Sequence, residues 1–112
     1  MSVSIVRPGD RDLQPVRAGN PILLQVVADG LGGNPYVHVT EVPAGHHIAT
    51  HSHSEDEVTV ILAGVAIVEG VECGPGTLLV IPANERYALD AGDEPLTFAV
   101  IRPRKADYDG PA

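Results

Sequence analysis

Apolar and polar residues alternate along most of this chain in short runs, and nearly every run is closed by Gly, Pro, Asn or Asp. In "YVHVTEV", residues 36–42, Val37, Val39 and Glu41 fall on one face of an extended strand and His38, Thr40 and Val42 on the other. The runs "PILLQVVADG", "HHIATHSH", "EVTVILAG", "VAIVEGVEC", "GTLLVIP", "ERYALD" and "LTFAVIRP" read as further strands, and "MSVSIV" as an N-terminal strand over 2–6. No window repeats apolar residues at i, i+3, i+4 and i+7 over the length a stable helix needs. Many short strands with turn residues between them predict an all-β sandwich or barrel. "DGLGGNP" reads as a loop, Glu69-Gly70 as a hairpin turn, and residues 103–112 as a polar tail.

Composition narrows the possibilities. The chain has 112 residues, enough for a single domain over 1–112 with one core. Trp is absent and aromatics make up 4%, so the core must be aliphatic. The formal charge of -8, from 15 acids against 7 bases, argues against nucleic acid and anionic membrane as partners. A small-molecule substrate or ligand is the expected partner. Cys73 stands alone, so no intramolecular disulfide forms, and nothing resembles a leader or a bilayer-spanning run. The expected location is cytoplasmic.

The densest chemistry lies in "GHHIATHSHSEDE", residues 45–57, which holds four of the five histidines. His51 and His53, at i and i+2, leave the same face of a strand. If Ser54 to Asp56 form a hairpin loop, Glu57 lies directly across from His53 on the neighbouring strand. Two imidazoles and a carboxylate then meet at one point. That set suits non-haem Fe(II) and also accepts Zn, Mn, Ni or Cu. A solvated, histidine-rich loop is the alternative.

Gly45, His51, His53, Glu57 and Gly64 together stand as G-x5-H-x-H-x3-E-x6-G, and Gly76 and Pro82 begin a second pattern, G-x5-P. This resembles the cupin family over residues 22–102, with the first motif complete. In the second motif Asn84 stands at the second glycine, Tyr87 at the histidine and Ala91 at the final asparagine. Asn84 is a mild change, since Asn tolerates the left-handed turn that glycine serves. The resemblance implies a jelly-roll β-barrel, a double-stranded β-helix, with one divalent transition metal held by His51, His53 and Glu57 and a fourth ligand position at Tyr87. It also implies a homodimer, with "SVSIV" a candidate for exchange between subunits.

Tyr87 has three open roles: a phenolate ligand, a hydrogen-bond donor or general acid to substrate, or a packed aromatic. His38 and Thr40 are candidate substrate-binding residues from the adjoining strand. His47 joins them if the strand is regular, and His46 faces outward. Cys73 is expected to pack, Arg86 to point outward, and Glu55 and Asp56 to form a solvated turn. The leading functional expectation is an Fe(II)-dependent, dioxygenase-like enzyme acting on a small organic molecule. A redox-neutral metal-dependent isomerase, cyclase or lyase, and a non-catalytic ligand-binding cupin, are the alternatives.

Overall fold

The computed structural model describes residues 3–111. Eleven strands follow a single 3-10 turn at Pro8–Asp10: β1 (Gln14–Pro15), β2 (Leu23–Asp29), β3 (Tyr36–Val42), β4 (His47–His53), β5 (Glu57–Ala63), β6 (Ala66–Val68), β7 (Val71–Cys73), β8 (Leu78–Ile81), β9 (Tyr87–Ala91), β10 (Leu96–Arg102) and β11 (Tyr108–Asp109). They form two antiparallel sheets, ordered β1-β2-β3-β10-β5-β8 and β11-β4-β9-β6-β7. The class is all-β, as the alternation predicts. No helix among the described residues is long and apolar enough to cross a membrane.

Alternation decides what lies between the sheets. On β10, Leu96, Phe98, Val100 and Arg102 are buried at every second position, and on β5 the same holds for Glu57, Thr59 and Ile61. Register sets these rows side by side, with Phe98 beside Ile61 and Val100 beside Thr59, and on the other flank Val100 beside His38 and Phe98 beside Thr40. The interior is therefore layered. Val42, Leu96, Ile61 and Ala66 fill an apolar end with essentially no exposed surface. Tyr36, Arg102 and Glu57 make a polar end.

The turns follow the backbone demands of their residues. Glu69 and Gly70 both have positive φ, 51° and 77°, which matches a two-residue loop to the twist of the β6–β7 hairpin. Asn84 sits at φ 66°, the left-handed turn its type tolerates. At Gly64 a Cβ would run into the carbonyl oxygen of Pro95.

Four expectations need correction. The predicted His53–Glu57 hairpin does not exist: β4 pairs with β9 and β11, whereas β5 pairs with β10 and β8 in the other sheet. The 54–56 segment instead crosses from one sheet to the other, because its backbone partners come from elsewhere. Ser54 N–H donates to the Asp107 carbonyl (3.0 Å), Asn84 N–H to the His53 carbonyl (2.7 Å), and Ala83 N–H to the Asp56 carboxylate (2.8 Å). Asp56 is therefore a turn-holding acceptor and Glu55 pairs with Arg104, so neither is merely solvated. Residues 103–112 are more than a polar tail, since β11 extends the sheet beside β4, with Tyr108 opposite His53. Finally, residues 3–6 form no strand within the chain, and Val3 and Ile5 are exposed; Ser2 lies outside the described residues.

Candidate functional site

Between the sheets lies a cavity of 410 Å³, within the range of small-molecule sites. Aliphatic and aromatic side chains such as Ile22, Leu24, Leu89 and Phe98 line its body, and His51, His53, Glu57, Tyr87 and Arg102 line its polar part. Antiparallel pairing puts His51 directly opposite Tyr87, with ring centroids 4.6 Å apart. The His51 and His53 rings meet edge-on at 5.0 Å. His51, His53, Glu57 and Tyr87 thus converge across the gap between two sheets and not along one ladder.

Glu57 is buried at 3% exposure, and its hydrogen bonds are complete. Its Oε1 accepts two bonds from Arg102, from Nε at 3.0 Å and Nη2 at 2.8 Å. Its Oε2 accepts the Thr59 hydroxyl at 2.6 Å and the Tyr87 hydroxyl at 3.3 Å. A carboxylate offers about four lone-pair sites, and here each is used. Burial opposes ionisation of Glu57, but the Thr59 hydroxyl and the Arg102 guanidinium outweigh it and hold the acid below its ordinary range. Arg102 is itself 6% exposed and lies over the Tyr36 ring, 5.2 Å from its centroid.

Around this ion pair His38, His53 and Tyr87 stay neutral. Burial, reinforced by the Arg102 charge, lowers His53 and His38 to about 4. Burial and then the Glu57 charge push the Tyr87 phenol up. His38 shares a 2.9 Å hydrogen bond with the Tyr36 hydroxyl, which fixes its ring beside Thr40 on the cavity wall. His51 Nδ1 lies 2.8 Å from the Ala49 carbonyl, and a carbonyl only accepts, so Nδ1 carries a proton and the neutral ring presents its lone pair at Nε2.

His47 takes a different place. A register shift between Ile48 and His51 breaks the regular parity, so His47 pairs with Asp90 at the cavity rim, Nδ1 to Oδ1 2.6 Å. Cys73 is packed in the core, and Arg86 is exposed near Asp109. His46, expected to face outward, is half-buried and lines the same cavity, and two further cavity residues, Arg102 and Tyr108, escape the sequence reading. Arg102 was legible in principle, because it continues the inward row Leu96, Phe98, Val100. Tyr108, whose ring lies 5.5 Å from His51 and 5.7 Å from His53, carries no local signal.

No protein-family description and no curated protein sequence matches the chain. Solved structures do. An RmlC-like cupin protein from Ralstonia eutropha JMP134 superposes with a TM-score of 0.80 at 12% identity, covering 100% of this chain and 78% of its own. The chain has the cupin fold. The polyketide cyclase RemF from Streptomyces resistomycificus gives 0.78 at 19% identity over 97% and 85% of the two chains. KdgF from Halomonas sp. gives 0.73 at 21% over 93% and 96%. These likenesses show the fold alone, at identities too low to carry over a role or an activity.

The side chains themselves are poorly disposed toward the metal that the first cupin motif implies. His51 and His53 keep donor character, but Glu57 has no lone pair left, and a guanidinium lies at the oxygen an ion would need. No group of three His, Cys, Asp or Glu residues among the described residues has metal-holding geometry. No buried side-chain nitrogen or oxygen among them lacks a hydrogen-bond partner. The ligand set His51, His53, Glu57 and Tyr87 does not fit a metal as it stands.

Proposed function

We propose that this protein binds one small, largely apolar organic molecule in the inter-sheet cavity and acts on it by redox-neutral proton transfer, as an isomerase, cyclase or lyase. One observation carries this reading: the cavity's carboxylate is saturated by Arg102, Thr59 and Tyr87, while His51 beside it keeps a free Nε2. His51 Nε2 accepts a proton from a carbon next to a carbonyl. The electron pair moves onto the carbonyl oxygen, to which the Tyr87 hydroxyl donates as charge develops, turning its one proton away from the long 3.3 Å bond to Glu57 Oε2. The imidazolium then returns its proton to another carbon of the enolate, or, as the enolate pair re-forms the carbonyl and expels a leaving group, to that group. Arg102 and Glu57 cancel each other's charge and keep the base close to a neutral, orienting surface. His38 and Thr40 contact the substrate body.

The Fe(II)-dependent dioxygenase that the first motif implies retains His51 and His53 but needs Glu57 to release Arg102. A metal-dependent isomerase has the same difficulty. The homodimer is also a proposal, supported by Leu78 and Val80 on the edge strand β8, which are 61% and 77% exposed.

Deuterium exchange at the α-carbon of cyclic diketones and enols, followed by NMR on chelator-treated protein, tests the reading. The expected result is exchange that survives chelation and falls by about 100-fold or more in His51→Ala. Oxygen uptake that depends on added Fe(II) would overturn it.

A further inference from the structure

We propose that Arg102 is the built-in cation of this site: its guanidinium holds Glu57 in place of a metal ion, and its removal uncovers a latent metal site at His51, His53 and Glu57. The inference concerns what the site can bind and stands apart from the reaction proposed above, since it would hold for a cavity that binds a ligand without turning it over.

The placement of Arg102 is built in at three levels. Strand parity puts it in line with Leu96, Phe98 and Val100, so its side chain must enter the interior. Register then brings it beside Glu57, because Ile101 pairs with Val58 and the next inward positions of the two strands are Arg102 and Glu57. Tyr36, its partner on β3, covers the guanidinium with its ring. The cation is thus held by a strand on each side.

Arg102 blocks a metal ion in two ways. Its two hydrogen bonds consume both acceptor sites of Glu57 Oε1, and a divalent ion at that oxygen would face a fixed, desolvated positive charge within hydrogen-bonding distance. Removing the guanidinium frees Oε1 and leaves an uncompensated buried carboxylate beside two imidazoles. Two nitrogens and an oxygen, with solvent completing the shell, is a set that Co(II), Zn(II) and Ni(II) accept.

The test is titration with Co(II), read by visible absorption and by metal bound per chain after gel filtration, together with the metal-induced shift in melting temperature. Wild-type protein is expected to retain no stoichiometric cobalt and to show no shift. Arg102→Leu should retain one ion per chain, with affinity raised at least about 100-fold, the scale on which removing or supplying partners alters metal sites. Arg102→Lys, which keeps the cation, should behave as wild type, and Arg102→Leu/His53→Ala should lose the gain. If Arg102→Leu folds only when cobalt is present, that also supports the inference. Where it does not fold at all, Arg102→Gln decides by the same measurements. Stoichiometric cobalt on wild-type protein overturns the proposal, as does a folded Arg102→Leu or Arg102→Gln that gains none. Neither result bears on whether exchange at the α-carbon survives chelation, so the two ideas fail separately.

Discussion

Glu57 and Arg102 share a buried ion pair, and such pairs are weak contributors to stability when intact but costly to break by halves. Glu57→Gln is expected to destabilise the protein by about 3–5 kcal/mol, because Arg102 would keep its charge at 6% exposure with only amide oxygen to meet it. Replacing both, as Glu57→Gln/Arg102→Met, should recover much of that loss, since no unpaired charge remains. Urea denaturation of the singles and the double measures this directly, and simple additivity of the two losses would contradict it. Tyr87→Phe removes one long hydrogen bond of 3.3 Å and should cost only about 1 kcal/mol, so any larger effect on α-carbon exchange reports its donor role and not its packing.

Two elements, one at the apolar end and one at the site, each make their own prediction. Gly64 ends β5 at φ 74° against the backbone of Pro95 and Leu96, so the first motif's last glycine is required for close approach of two chain segments. Gly64→Ala should lower stability by at least about 2 kcal/mol, measured as a fall in the urea midpoint. The strand β11 has the opposite character. It contributes only two residues of pairing, and Tyr108 is half exposed, yet its ring packs near both cavity histidines and Gly110 fits closely against His51. Deleting residues 108–112, which spares Asp107 and its bonds to Ser54, should change stability by no more than about 1 kcal/mol while shifting the His51 and His53 ring resonances and weakening ligand retention. Unchanged histidine spectra would show that β11 has no part in the cavity. The crossing of 54–56 between sheets belongs at this scale too. Ser54 to Asp56 has the length and polarity of a hairpin loop, and only the distant partners at Ala83, Asn84 and Asp107 direct it elsewhere.

For the molecule as a whole, the buried histidines set the response to acid. His38 falls from 6.5 to about 4 on folding, so between those values the unfolded chain binds a proton that the folded chain refuses. Stability from this group is complete above pH 6.5 and is lost as pH falls toward 4, by roughly 3 kcal/mol in all. His53 acts in the same direction over the same window. Glu57 acts lower, since its acid is held below the ordinary value and its contribution disappears only as pH falls through that depressed range. Unfolding should therefore weaken in its resistance to urea from pH 6.5 downward, before the carboxylates titrate. His38→Gln should flatten the slope between pH 6 and 4; an unchanged slope would remove His38 from the account. At the apolar end, Leu96→Ala should cost about 2–5 kcal/mol at every pH, because its side chain is fully buried among Val42, Ile61 and Phe98.

Period-two alternation is a local property, and so the residues alone determined the all-β class, the inward face of β3, the hairpin at Glu69-Gly70 and the shared face of His51 and His53. The turn at Asn84 and the aim of Tyr87 were implied by the motif resemblance, and Glu57 enters the cavity by parity on β5 and not by the hairpin its neighbours suggest. What alternation does not carry is which strands become neighbours, because pairing is chosen by contacts far apart in the chain. Arg102 meets Glu57 across 45 residues, and β4 and β5, adjacent in the chain, go to different sheets. Tertiary structure alone therefore decided that the carboxylate of a metal-type motif is bound by a guanidinium, and that a polar tail returns to place Tyr108 against the histidines. A hydrogen-bonding group declares its chemistry in the sequence, but its partner is declared only by the fold that exhausts its lone pairs.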